Sequence, residues 1–206
     1  MFGIPKEVFS DLIGHYNSLD ISARLVEKDE PEAFDGETTI RISGREFDAV
    51  ILKFAGGSMA GGGGFSIGPS ISKQVKKTSP KLNFHHIITA IQGKSEQDLK
   101  AEMEEEKTGF ITKKLVNVSW KGGKLASTLN NDAELKKKIL DSQTTSFKVE
   151  PDMKNSCVKI VHQKEIELTY EFGGVFIKTA KTSAKNFPPI TTIDIIDRIA
   201  KHAKSL

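Results

Sequence analysis

A single cysteine, Cys157, stands in the 206 residues, so the chain can close no disulfide of its own. That leans toward a reducing compartment and against a small stapled scaffold. Arginine is scarce too. Of the 30 basic residues only Arg24, Arg41, Arg45 and Arg198 are arginines. Arginine suits forked recognition of phosphate and guanine, whereas lysine serves solubility as readily as binding. With 27 acidic residues interspersed the net charge is only +3, and a nucleic-acid partner is not expected. Apolar runs are short, Ala49-Val50-Ile51-Leu52 among the longest, far below the roughly 18 residues that cross a bilayer. Met1-Phe2-Gly3-Ile4-Pro5 lacks a basic stretch leading into an apolar one, so no secretory signal is read and a cytoplasmic location is expected. Without that signal, the glycosylation sequon Asn117-Val118-Ser119 reads as a chance match.

What is present is the make-up of a globular chain. Hydrophobic residues are 37% of the total and mean hydropathy is −0.31, too apolar for disorder and too polar for a membrane span. A chain of this length can bury roughly 70% of its unfolded surface, enough for a real core.

Periodicity supplies the elements. Val8, Phe9, Leu12, Ile13 and Tyr16 recur at helical spacing behind Pro5. Ile21 to Val26 reads as a strand, and Thr38 to Phe54 as a hairpin turning at Ser43-Gly44. The apolar run 49–52 implies cover on both faces. Residues 55–64 are nearly all glycine, alanine and serine and read as a loop. Pro80 then leads into an expected short helix carrying Leu82, Phe84, Ile87, Ile88 and Ile91. Ser95 to Asp98 resembles a capping box for a charged helix running to Lys107. Leu115 to Leu129 reads as a hairpin turning at Gly122-Gly123. A helix from Asn131 to about Ser142 follows, then strands at 147–150 and 158–161, and a strand in which Ile166, Leu168, Tyr170 and Phe172 alternate with polar residues. Thr191 with Asp194 is expected to cap a last helix striped by Ile195, Ile196, Ile199, Ala200 and Ala203.

The fold class expected is α+β, with mostly antiparallel sheet backed by helices. Two blocks repeat loosely. Ile40-Arg41-Ile42 and Phe54 match Val158-Lys159-Ile160 and Phe172 in register, and the Pro80 to Ile91 pattern matches Pro188 to Ile199. This suggests two pseudo-repeats, residues 1–93 and 131–206, joined by 94–130 or merged in one compact domain.

The candidate sites are few. Gly57, Ser58, Gly61, Gly62, Gly63 and Gly64, with Lys76 and Lys77 nearby, form a possible anion cradle of backbone N–H groups. No Gly-Lys-Ser or Gly-Lys-Thr follows the run, and a loop is the simpler reading. His85-His86 lack partners at metal-ligand spacing, so no metal or cofactor is expected. Glu165, Glu167 and Glu171 share one strand face, as an exposed face would. Cys157 reads as a small apolar filler and Trp120 as a packing residue. With no catalytic signature, the expected role is a non-catalytic binding or assembly protein acting through protein–protein contacts, at a groove between repeats or a sheet edge. A small-ligand or phosphate binder or enzyme using loop 55–64 is the alternative, and a weak nucleic-acid binder the second.

Overall fold

The computed structural model describes residues 4–55, 74–89, 91, 93–110, 112–172 and 180–206. In chain order these contain helix α1 (Lys6–Ser18) and strands β1 (Ser22–Val26), β2 (Thr39–Ser43), β3 (Ala49–Phe54), β4 (Gln74–Thr78) and β5 (Lys81–Ile88). A single turn, α2 (Glu96–Leu99), leads to β6 (Ala101–Thr108) and β7 (Lys114–Gly122). Helices α3 (Lys124–Asn130) and α4 (Ala133–Ser142) precede β8 (Phe147–Asp152), β9 (Cys157–Glu165), β10 (Glu167–Phe172) and β11 (Ala180–Lys185). Helix α5 (Ile190–Ser205) is last.

Eight strands form one antiparallel sheet in the order β1-β2-β3-β5-β9-β8-β6-β7, and β11-β10-β4 form a second. The architecture is therefore α+β, with a large antiparallel sheet. Strands from 1–93, 94–130 and 131–206 all enter the larger sheet. The two sheets are joined by one ribbon. Gln74 faces Phe172 and Thr78 faces Leu168, and beyond a bend at Pro80, where the Ile166 N–H donates to the Pro80 carbonyl, Lys81 faces Glu165 and Ile88 faces Val158. The register never shifts.

Alternation gives the larger sheet two unlike faces. Ile40, Val50, Leu52, Phe84, Ile88, Val158, Ile160 and Phe147 share one cluster with the apolar stripes of α1, α3, α4 and α5. Among the described residues the other face carries a small cluster of Phe34, Ala49, Ile51, Ile87 and Cys157. The doubly apolar run 49–52 is thus covered on both sides, as expected, with Phe34 supplying the second cover. Among the described residues no helix is long and apolar enough to cross a membrane.

Three expected elements fold otherwise. Residues 81–88 are a strand, not a helix, and extend the hairpin of β2 and β3. His86, fully buried, stands where a period-two pattern calls for an apolar residue, which hides the strand behind helical spacing. Residues 101–108 are also a strand. Ser95 caps as anticipated, its hydroxyl accepting from the Asp98 N–H, but the helix lasts one turn. Pairing with β7 then overrides the helix propensity of the Glu-rich run. Third, Gly122-Gly123 is no hairpin turn, since Lys124–Asn130 is helical. A Cβ on Gly122 would sit 2.1 Å from the Lys100 carbonyl oxygen, and one on Gly123 would sit 1.8 Å from that of Gln97. The glycines let two backbones cross at contact distance.

The duplication is not supported. β2 and β3 pair with one another, whereas β9 and β10 lie in different sheets. The Pro80 block is strand while the Pro188 block is helix α5, which begins after Pro189 without a side-chain cap from Thr191 or Asp194. The groove between repeats goes with it.

Candidate functional site

Among the described residues, helix α5 collects a dense set of chemically capable side chains. Asp132, the N-cap of α4, accepts the Leu135 N–H at 2.9 Å, which satisfies one of the open donors of that helix start. The same carboxylate accepts two hydrogen bonds from Arg198 of α5, from Nε at 2.5 Å and from Nη2 at 2.8 Å. Nη1 of Arg198 reaches Glu134 at 2.7 Å, and His202 Nε2 lies 2.7 Å from Asp132. One turn of α5 separates Arg198 from His202, so both meet α4 from one side. Burial alone would raise the Asp132 carboxyl, but Arg198, the Leu135 N–H and His202 outweigh it and hold it well below the usual range. Thr128, Asn131 and Ala133 complete the walls of a cleft of about 510 Å³.

The opposite flank of α5 is tied in the same manner. Arg45, in the β2–β3 turn, donates to Asp194 and Asp197 at 3.0 Å each, and the Glu46 N–H donates to Asp197 at 2.9 Å. Lys94 donates to the carbonyls of Ala203, at 2.7 Å, and Lys204, which closes the carbonyl end of the helix. At the start of the helix, His15 of α1 lies 2.9 Å from the Pro188 carbonyl. These groups satisfy one another. In the cleft the one guanidinium is already bound by two carboxylates, and the Thr128 hydroxyl donates to its own helix at 3.1 Å. The cluster fastens α5 to α4 and leaves no activated nucleophile. Among the described residues no group of three or more histidine, cysteine or acidic side chains is placed to hold a metal ion.

The expected site residues are dispersed. Gly57, Ser58, Gly61, Gly62, Gly63 and Gly64 lie outside the described residues. Lys76 and Lys77 are on β4, and Lys77 is exposed and paired with Glu167 at 3.3 Å. His85 and His86 are neighbours on a strand, not a helix, and therefore lie on opposite faces of the sheet. His86 meets Phe47 edge-on with centroids 4.9 Å apart, and His162 stacks on Phe147 at 5.0 Å. Burial drives both far below ordinary histidine, His86 to about 3 and His162 to about 4. His85 is lowered to about 4, by burial and then by the Lys53 charge. Glu165 ends β9 and Glu167 opens β10, so the acidic row crosses the bend between sheets. Cys157 is fully buried, and burial followed by the Asp152 charge pushes its thiol up to about 11, which removes its nucleophilic form. Trp120 is a core residue.

No known family, no curated protein and no solved structure matches this chain.

The sheet's edges are engaged by helix side chains. The Asn130 amide accepts the Trp120 N–H and donates to the Trp120 carbonyl, both at 2.8 Å. Gln143, in left-handed backbone past α4, does the same for Leu115, at 2.8 and 3.1 Å. Both plug edge strand β7. On the far edge the Ala23 N–H donates to Asn17 at 3.3 Å, and in the smaller sheet the Ala184 N–H of β11 donates to Asp11 at 2.6 Å. Such plugs discourage strand addition. Sequence reasoning passed over Asp132, Arg198 and His202. The only local signal was an Asp one residue after the expected helix start, and partners 66 and 70 positions away leave no local trace.

Proposed function

We propose that this chain is a non-catalytic binding protein that acts through contact with another protein, on the face of the eight-stranded sheet that no described helix covers. The observation that carries this reading is the asymmetry of the sheet. Every helix with an apolar stripe packs into one cluster, while Asn83, His85, Val161, Gln163, Lys148 and Glu150 on the other face remain half-exposed. An antiparallel sheet with one free face presents a broad, stiff surface on which short side chains can be matched by a partner. The central strands of this one are held on both sides by neighbours.

Charges on that face alternate. Lys148 lies 2.7 Å from Glu150, Lys159 lies 2.6 Å from Asp152, and Asn83 accepts from Gln163 at 3.2 Å. Such a pattern favours a mixed protein surface over a phosphate backbone, which calls for one sign of charge. Hydrolytic or transfer chemistry has less support, because the capable groups around α5 are bound to one another. The test is affinity capture from the cells of origin, with the parent chain and a Val161→Arg variant as baits. A protein retained by the parent and lost by the variant is the expected result. Retention of the same proteins by both baits, or of none by either, overturns the reading.

A further inference from the structure

The hairpin of β6 and β7 reaches past the sheet that holds it. β6 pairs with β8 only at Ala101 and Glu102, yet its ladder with β7 continues to Thr108 opposite Lys114. Six residues of β6 thus extend about 20 Å beyond the last bond to β8. Leu115, opposite Lys107, is the last buried side chain on β7 before the tip. Beyond it residues 108–110 and 112–114 are exposed, and Phe110 is exposed to 102%. At Gly109 φ is +110° and a Cβ would sit 2.3 Å from the Thr112 carbonyl oxygen, so the backbone on the two sides of the tip comes to contact distance beside Phe110.

Charge is sorted along the hairpin. The three acids nearest the tip are engaged within the hairpin, Glu105 with Lys107 at 2.5 Å, Glu104 with Lys121, and Glu106 accepting from Asn117 at 3.3 Å. Lys113 and Lys114 make no ion pair among the described residues, and no Asp or Glu occurs between Lys107 and Asp132. An exposed aromatic followed within four residues by two exposed lysines that make no ion pair among the described residues has the make-up of a lipid-interface anchor, apolar below and cationic at the phosphates. We propose that this tip is a peripheral docking element for anionic lipid surfaces, with Phe110 entering below the headgroups and Lys113 and Lys114 at the phosphates. The proposal is independent of the partner-binding face.

The test is co-sedimentation of the full chain with phosphatidylcholine vesicles, with and without phosphatidylserine, at low and high salt. Binding is expected only with phosphatidylserine and at low salt. It should weaken roughly fivefold or more in Phe110→Ser and again in Lys113→Gln with Lys114→Gln, while Val161→Arg leaves it unchanged. The tip is exposed, so each variant should keep the parent melting temperature. A Phe110→Trp variant reports insertion directly, through a blue shift of its added emission on phosphatidylserine vesicles. Absence of vesicle binding by the parent, equal binding by Phe110→Ser, or loss of binding in Val161→Arg overturns the proposal. So does a Phe110→Ser variant that loses a captured protein while the parent ignores vesicles, which would make the tip a protein-docking element.

Discussion

On one face of the eight-stranded sheet Phe84, Ile88, Val158 and Ile160 are sealed in the helix-backed core. One residue along the same strands, His85, Val161 and Gln163 stay half-exposed on the other face. Both faces arise from one alternation, and the difference lies in what each can bury. A period-two strand offers one apolar side, and four striped helices are enough to cover one side of this sheet. Among the described residues the second face gets the Phe34 loop alone, with Lys159 lying 5.7 Å over that ring. Substitutions on a face that no described helix covers should be tolerated by the fold.

This contrast can be tested by stability measurements. The largest effect is expected where α5 enters the core. Ile196 is fully buried, and Ile196→Ala should lower unfolding free energy by about 3–4 kcal/mol, read from the urea midpoint at unchanged slope. A loss under 1 kcal/mol would mean that α5 is not part of the core proper.

Next in size is the tie between α4 and α5. Asp132→Ala removes both an N-cap and the partner of Arg198 and His202, and should destabilise by about 2–3 kcal/mol. Asp132→Asn keeps the cap and should recover part of that loss. Because the carboxyl sits lower in the folded state than in the unfolded one, its contribution is full above the unfolded value near 4 and fades as the pH falls below it.

The core-face histidines give a third effect, at milder acidity. Burial holds His86 near 3 and His162 near 4, against about 6.5 for an unfolded histidine. The unfolded chain therefore binds protons first as pH falls, and stability present above 6.5 declines on acidification. By pH 5 the loss should approach about 2 kcal/mol for each histidine, and His86→Phe should flatten the profile if the cavity accepts the ring. A stability that is level from pH 7 to 5 would contradict the burial of these two rings.

The smallest effect belongs to the uncovered face. Val161→Thr is expected to change stability by no more than about 0.5 kcal/mol. A loss as large as that of Ile196→Ala would show the two faces to be equally buried, and the open platform would disappear.

Elements with a clean local signature were legible in the chain. The stripe of α1, the hairpin of β2 and β3, the alternation of β10 and the stripe of α5 lie close to where periodicity placed them. The failures share a cause. β5 and β6 are strands because of the neighbours they pair with, and nothing local announces this. Buried His86 breaks one pattern, and a run of glutamates imitates a helix in the other. Gly122-Gly123 marks a real constraint, but the constraint is a crossing with the chain near Gln97 and Lys100, more than twenty residues earlier.

Composition and periodicity alone determined an α+β chain with antiparallel sheet, an apolar core and no disulfide, because these follow from spacing within a few residues. Which strands adjoin, which charges lock α5 and which sheet face the described helices cover were settled only in three dimensions. Those outcomes depend on pairings such as Arg198 with Asp132 and Arg45 with Asp197, made between residues far apart along the chain. Contact energy there is set by distance in space, about which local spacing carries no information.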